Sequence, residues 1–319
     1  MKINILDYLH ELISQNVSND NAYQTRYKGF VGELELKKWF EVNRSDTKSF
    51  SGGYFISQSR KSALKKPVYF TVCCDSSDEY LHIYKALSNI PCRAMYFIYW
   101  NKGINLTDWE LKDIMGTKTF LPVPSMTFLK YDIHNHCFLD SSELVFKSEF
   151  QSVERTDISY GISDKEKYKQ RMNLFDEKDL IELYVQRLVF DGFLGFGIKK
   201  GLPSDIDFII NSNVWNRIQF LEVKEKDLSK REPKGFGMDA HRIDDIKLIQ
   251  SKTGIDYYYI VRRVNNQKER VLKEWLVIGI DDFIKNLTDY TIQGGHGMRA
   301  EGTDNPTYIC PYRFFKKLK

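Results

Sequence analysis

Two stretches decide the fold: Pro203-Ser204-Asp205-Ile206-Asp207-Phe208-Ile209-Ile210, and Phe220-Leu221-Glu222-Val223-Lys224, whose Glu222 stands fifteen residues after Asp207. Side chains alternate faces along a strand, so Asp205, Asp207 and Ile209 share one face while Ile206, Phe208 and Ile210 share the other. The second run repeats the pattern: Glu222, Lys224 and Lys226 point one way, Leu221 and Val223 the other. Between them lie Asn211, Ser212, Asn213 and Asn216, residue types that favour a turn. The spacing therefore predicts neighbouring strands that set Asp207 beside Glu222, close enough for one divalent cation.

The chemistry follows from the residue types. Hard carboxylate oxygens suit Mg²⁺ or Mn²⁺, which keep several waters and also bind phosphate oxygens. Such a metal lowers the pKa of a bound water and offsets charge on a phosphate undergoing substitution. A lysine two residues after the glutamate reaches the same side, where it can orient the attacking water or hold the scissile phosphate.

These residues resemble the PD-(D/E)xK nuclease superfamily, with Asp207 or Asp205 as the aspartate and Glu222-Val223-Lys224 as the (D/E)xK element. The proline falls at Pro203, giving P-S-D-I-D rather than a strict P-D, and Asp207 is favoured because an apolar run follows it. The flanking order agrees. Asp176-Glu177-Lys178-Asp179 reads as a capped, acidic helix start. Ile181, Tyr184, Val185, Leu188 and Val189 recur at helical spacing up to Gly192. Ile243, Ile246, Leu248 and Ile249 predict a second helix before the strand Tyr257-Tyr258-Tyr259-Ile260-Val261.

The resemblance implies an α/β fold, with a restriction-endonuclease-like mixed sheet flanked by helices in a catalytic domain over 170–319. It implies Asp207, Glu222 and Lys224 as catalytic residues. Asp205 and Glu182 would be accessory metal ligands, Glu182 because many relatives carry an extra glutamate on that helix. It further implies an endodeoxyribonuclease of restriction, phage-defence or recombination, working on DNA as a homodimer. The alternative is a non-catalytic nucleic-acid-binding or assembly protein on the same fold; an RNA nuclease is a third, weaker reading. An E-x-K triplet alone is common on solvated strand faces, so the weight lies in the coincidence of motif, spacing and flanking elements.

The N-terminal half, residues 1–150, repeats this outline without the chemistry. Phe30, Val31, Leu34, Leu36 and Trp39-Phe40 predict a helix containing Glu33. A strand over Pro67–Cys74, a helix over Tyr80–Leu87 and a strand over Ala94–Trp100 follow. The place of Glu222-Val223-Lys224 falls to Phe70-Thr71-Val72 or Val72-Cys73-Cys74, which offer neither carboxylate nor lysine. Two readings stand open, an inactive degenerate copy and an unrelated recognition domain. Residues 140–172, polar and then charged, mark the expected boundary.

Lys224, Lys226, Lys230, Arg231 and Lys234 form a basic run before Gly235-Phe236-Gly237. It reads as a mobile loop tracking a nucleic-acid backbone, with His241 and Arg242 opening the next helix and reaching phosphate. A solvated surface loop is the equal rival. Lysine plus arginine balance aspartate plus glutamate within residues 1–160, so the net charge of +4 lies wholly in residues 161–319, the half with the candidate site. His134 and His136 form an H-x-H pair without further zinc ligands at convincing spacing. Tyr308, Tyr312, Arg313, Phe314 and Phe315, beside the loop Gln293–Arg299, offer a stacking surface or core aromatics.

Composition bounds the rest. Apolar content of 42% suffices for a sizeable core, and no stretch has the length of apolar sequence that a membrane span needs. Cys73, Cys74, Cys92, Cys137 and Cys310 lack C-x-x-C spacing, which argues against a disulfide framework or a cysteine zinc site. No secretory signal is visible at the N-terminus, and a cytoplasmic protein is expected.

Overall fold

The computed structural model describes residues 2–14, 17, 20–59, 62–114, 117–150, 165–195, 203–212, 217–229, 232–294 and 305–319. The chain begins with α1 (Lys2–Ser14), α2 (Asp20–Asn43), β1 (Thr47–Ile56), β2 (Val68–Cys73), α3 (Ser77–Leu87) and β3 (Ala94–Trp100). Then come β4 (Glu110–Lys112), β5 (Leu121–Val123), β6 (Met126–Asp132), β7 (Cys137–Asp140), α4 (Glu143–Ser148), α5 (Lys165–Met172) and α6 (Glu177–Arg187). The remainder is β8 (Ser204–Ser212), β9 (Arg217–Lys226), β10 (Gly235–Asp239), α7 (Ala240–Thr253), β11 (Asp256–Val264) and β12 (Leu272–Gly279). It closes with α8 (Ile280–Lys285), β13 (Thr291–Gln293), β14 (Pro306–Pro311) and β15 (Lys316–Lys317). This is the α/β class with mixed sheet that the sequence predicts. No helix among the described residues is long and apolar enough to cross a membrane, and all five cysteines are free.

Two compact units form, and each draws on more than one stretch of the chain. Of the described residues, the first takes those within 2–27 and 53–203, and the second those within 28–52, 204–294 and 305–319. The division has a packing cause. Leu36 and Phe40, on one stripe of α2, bury against Phe208, Ile210, Leu221, Val223, Ile260 and Trp275. The second half of α2 thereby belongs to the strands that carry the acidic motif, not to the strands that follow it in the chain.

Within the second unit the strand order is β15-β12-β11-β9-β8, with the first part of β1 beside β8. β8 and β9 are antiparallel, β9 and β11 parallel, and β11 and β12 antiparallel. Parallel neighbours need a crossover, and α7 supplies it, ending at Gly254 in the left-handed conformation (φ 68°). Gly52 lies where β1 meets β8: a Cβ there would sit 1.6 Å from the Ile206 carbonyl oxygen. A separate sheet orders β10-β14-β13.

The first unit pairs the rest of β1 antiparallel with β2, β2 parallel with β3 across α3, and β3 antiparallel with β6. β7 completes that sheet. Strands β2 and β3 are buried on both faces, which is why they read as unbroken apolar runs rather than alternating ones. The first unit thus runs antiparallel, parallel, antiparallel from β1 to β6, the pairing order that β8, β9, β11 and β12 show in the second. One detail differs: the face of β2 turned to α3 carries Tyr69, Thr71 and Cys73, since Tyr69 meets the Tyr84 ring at 5.4 Å and Thr71 bonds Tyr69 at 3.0 Å. Neither triplet beginning at Phe70 or Val72 occupies that face.

Candidate metal centre

The β8–β9 hairpin builds the centre. Phe208 pairs with Leu221, so the ladder sets Asp207 opposite Glu222, with both side chains on the face away from Phe208 and Leu221. The apolar alternates go into the core, which locks the register, because a one-residue slip would bury the carboxylate row there instead. The main-chain N–H of Val223 donates to Asp207 Oδ2 at 2.6 Å. One carboxylate oxygen from each of Asp205, Asp207 and Glu222 lies within 4.8 Å of the others.

Two cations serve this cluster. Lys224 Nζ stands 2.8 Å from Glu222 Oε1 and 3.7 Å from Asp207 Oδ2, with 43% of its side chain exposed. Arg242, from the first turn of α7, is nearly buried. Its Nε donates to Glu222 Oε2 at 3.0 Å, its Nη1 to Ser204 Oγ at 2.7 Å, and its Nη2 to the Asp205 carbonyl at 2.6 Å. Nη2 also pairs with Glu222 Oε2 and lies 3.4 Å from the Tyr257 hydroxyl.

The surroundings drive the two central carboxylates apart. Burial, and then the charge of Glu222, push Asp207 well above the usual carboxylate range, and Lys224 offsets this only in part. Burial would raise Glu222 as well, yet Arg242 and then Lys224 hold it down at about 2. For Lys224, burial is outweighed by Asp207, Glu222 and Asp205, which raise its ammonium well above the ordinary lysine value; its exposure lets water moderate that shift.

The donor set fits a divalent cation. Two oxygens on opposite sides of a Mg²⁺ held at about 2.1 Å are about 4.2 Å apart, a span compatible with the cluster. Glu222 is fully buried, its Oε2 is taken by Arg242, and its Oε1 meets Lys224 Nζ at 2.8 Å. Three carboxylates drawn this close together repel one another, and a divalent cation would add countercharge to what Lys224 and Arg242 supply. Oxygen-only ligation suits Mg²⁺ or Mn²⁺ over the softer metals.

The other residues singled out in the sequence are placed unevenly. Lys226 is half-buried on the same face of β9; burial lowers its ammonium, with Asp239 pulling the other way. Lys234 is exposed and His241 half-buried. Lys230 and Arg231 lie outside the described residues, as does 295–304. Glu182 sits on α6 of the first unit, where Cys74 Sγ donates to it at 3.6 Å, and it is not among the clustered carboxylates. Arg242, expected to reach nucleic-acid phosphate, is instead spent on Glu222 and Ser204, because a buried glutamate must have a cation beside it to stay charged.

Gly235-Phe236-Gly237 is no loop. It forms β10, paired with β14 from Gly235↔Pro311 to Asp239↔Thr307, and a Cβ on Gly235 would lie 2.1 Å from the Cys310 carbonyl oxygen. Those glycines admit a neighbouring strand. Phe315 is likewise core, meeting Phe236 at 5.2 Å. His136 bonds the Tyr131 hydroxyl; neither His134 nor His136 joins a metal-holding group among the described residues.

One carboxylate placed on a helix from the sequence, but given no part in the site, lies near it. Glu33 on α2 is close enough for its charge to raise Asp207 further. Its signal was present: Glu33 shares the helix stripe of Leu36 and Phe40, so an acid stands on an otherwise apolar face. Compared with known proteins, the chain matches no family model, no curated protein and no solved structure.

Proposed function

We propose that this chain is a divalent-metal-dependent phosphodiester hydrolase of the PD-(D/E)xK kind, an endonuclease acting on DNA. The observation that carries the reading is the convergence of Asp205, Asp207 and Glu222 within 4.8 Å beside Lys224 Nζ. The order from β8 through β9 and α7 to the parallel strand β11 supports it. Asp205, Asp207 and Glu222 would hold Mg²⁺ or Mn²⁺, which when bound supplies an acidified water and a counter-charge for phosphate.

The chain's own groups define the rest. Lys224 is the half-exposed cation of the centre, placed to orient a water or grip the scissile phosphate. Lys226 lies two residues further along the same face, about 6.6 Å by strand geometry, and extends the cationic row along a nucleic-acid backbone. Lys234 and His241 add polar contacts outside it. A homodimer, and a setting in restriction, phage defence or recombination, belong to this reading.

The test is cleavage of supercoiled plasmid with Mg²⁺, Mn²⁺ or EDTA. Wild type is expected to nick or linearise only with metal. Lys224→Ala is expected to lose about 100-fold or more, the scale for one removed charge-stabilising donor. A double variant Asp207→Ala/Glu222→Ala that cuts as well as wild type would sink the proposal.

A second reading, a non-catalytic DNA-binding protein, draws on one observation: Arg242 already neutralises Glu222, as a carboxylate retained only for fold contacts would require. Metal-indifferent DNA binding without cutting would favour it.

A further inference from the structure

We infer that Arg242 is a positioning residue that turns Glu222 so that Oε1, and not Oε2, is presented to the cation, while the same guanidinium fixes the Asp205 segment beside it. The inference rests on the metal-centre reading above and assigns the centre's ligand geometry to a residue that touches neither cation nor substrate.

The geometry supports each part. Nε and Nη2 of Arg242 both engage Glu222 Oε2, so that oxygen faces α7 and is spoken for. Oε1 faces the other way, toward the mouth of the cluster, where Lys224 Nζ stands 2.8 Å from it. Nη2 also takes the Asp205 carbonyl at 2.6 Å and lies 3.3 Å from Asp205 Oδ1. One planar fork therefore sets two of the three candidate ligands at once.

The fork is itself held. Ser204 Oγ accepts from Nη1 at 2.7 Å, and Ser204 is nearly fully buried, so β8 anchors the guanidinium from behind. A lysine would supply the charge without the planar geometry. Groups that orient metal ligands through a second hydrogen bond typically change metal affinity about 10- to 100-fold when removed.

The experiment is Mn²⁺ binding by calorimetry, with the Mn²⁺ electron paramagnetic resonance spectrum of the bound ion, on full-length wild type, Arg242→Gln, Arg242→Lys and Ser204→Ala. Circular dichroism melts confirm that each variant is folded at the titration temperature. Arg242→Gln is expected to bind Mn²⁺ about 10-fold or more weakly with an altered spectrum. Arg242→Lys should fall between it and wild type, and Ser204→Ala should lose a few-fold. Should Arg242→Gln fail to fold, Arg242→Lys and Ser204→Ala decide.

Folded variants with wild-type affinity and spectrum would overturn the inference and leave the metal centre standing. Tighter binding would also overturn it, since Arg242 would then be a competitor of the metal. Wild type that binds no Mn²⁺ at all would remove the centre and this inference with it.

Discussion

The main-chain N–H of Val223 donates to Asp207 Oδ2 across 2.6 Å, so the aspartate of β8 is tied to the backbone between Glu222 and Lys224. This one bond joins the two halves of the motif into a site. It also holds Asp207 within the field of Glu222, and that proximity, together with burial, raises its pKa.

Stability without metal should therefore fall as pH rises. A folded-state pKa above the unfolded value of about 3.9 means that the folded chain holds the Asp207 proton more tightly. The carboxyl then supports the fold fully below the unfolded value and withdraws that support as pH rises through the raised folded value. Asp207→Asn keeps an oxygen for Val223 and removes the titration. In chelator at pH 8 its melting temperature is expected to exceed wild type by at least about 2 °C, the shift that about 1 kcal/mol produces in a domain of 150–250 residues. The gap should close toward pH 4. A variant less stable than wild type at pH 8 would count against a raised Asp207.

Metal uptake should release a proton for the same reason. Asp207 gives up its proton to ligate a cation, so Mn²⁺ affinity is expected to climb as pH rises from 6 to 8. The climb can reach about tenfold per pH unit wherever pH lies below the raised pKa. Calorimetry in two buffers of different ionisation enthalpy reads the proton directly. Glu222, already held down at about 2, contributes nothing to this release. Buffer-independent heats would mean that Asp207 is ionised before metal arrives.

Gly52→Ala should damage the second unit. Its Cβ would fall 1.6 Å from the Ile206 carbonyl oxygen, and strand backbone has no flexible end to move aside. The expected cost is about 1–3 kcal/mol or more, read by urea unfolding, with Mn²⁺ binding weakened alongside because Ile206 lies between the two candidate ligands Asp205 and Asp207. Unchanged stability would show that β1 and β8 do not approach so closely.

What was legible in the sequence was what local alternation encodes. Asp207, Glu222 and Lys224 could be placed on one face because Phe208, Leu221 and Val223 had to go to the other. Helix α7 and strand β11 announced themselves by the spacing of Ile243, Ile246 and Ile249 and by the apolar run Tyr257–Val261. The rest depended on partners distant in the chain. Gly235 and Gly237 read as loop residues because β14, which needs their bareness, arrives some seventy residues later. Arg242 looked like a surface cation because nothing local says that Glu222 is buried. The sorting of α2 was hidden for a related reason: local composition marks a polar stretch near 140–172, whereas α2 is sorted by the strands that bury Leu36 and Phe40.

That sorting of α2 yields a last prediction about Glu33 and Glu182. Chain order favours Glu182, since α6 directly precedes β8. Packing favours Glu33, whose helix segment shares the second unit with the centre and whose charge reaches Asp207. Glu182 belongs to the first unit and is engaged by Cys74. A negative charge near the cluster attracts a cation, and one of half-buried exposure is screened less than a surface charge. Glu33→Gln is therefore expected to weaken Mn²⁺ binding by roughly three- to tenfold, about 0.7–1.4 kcal/mol. Glu182→Gln should leave it within error. Both variants keep side-chain length and shape and make the same chemical change, so the comparison isolates position. The opposite result, with Glu182 sensitive and Glu33 silent, would restore chain order as the better guide to this centre.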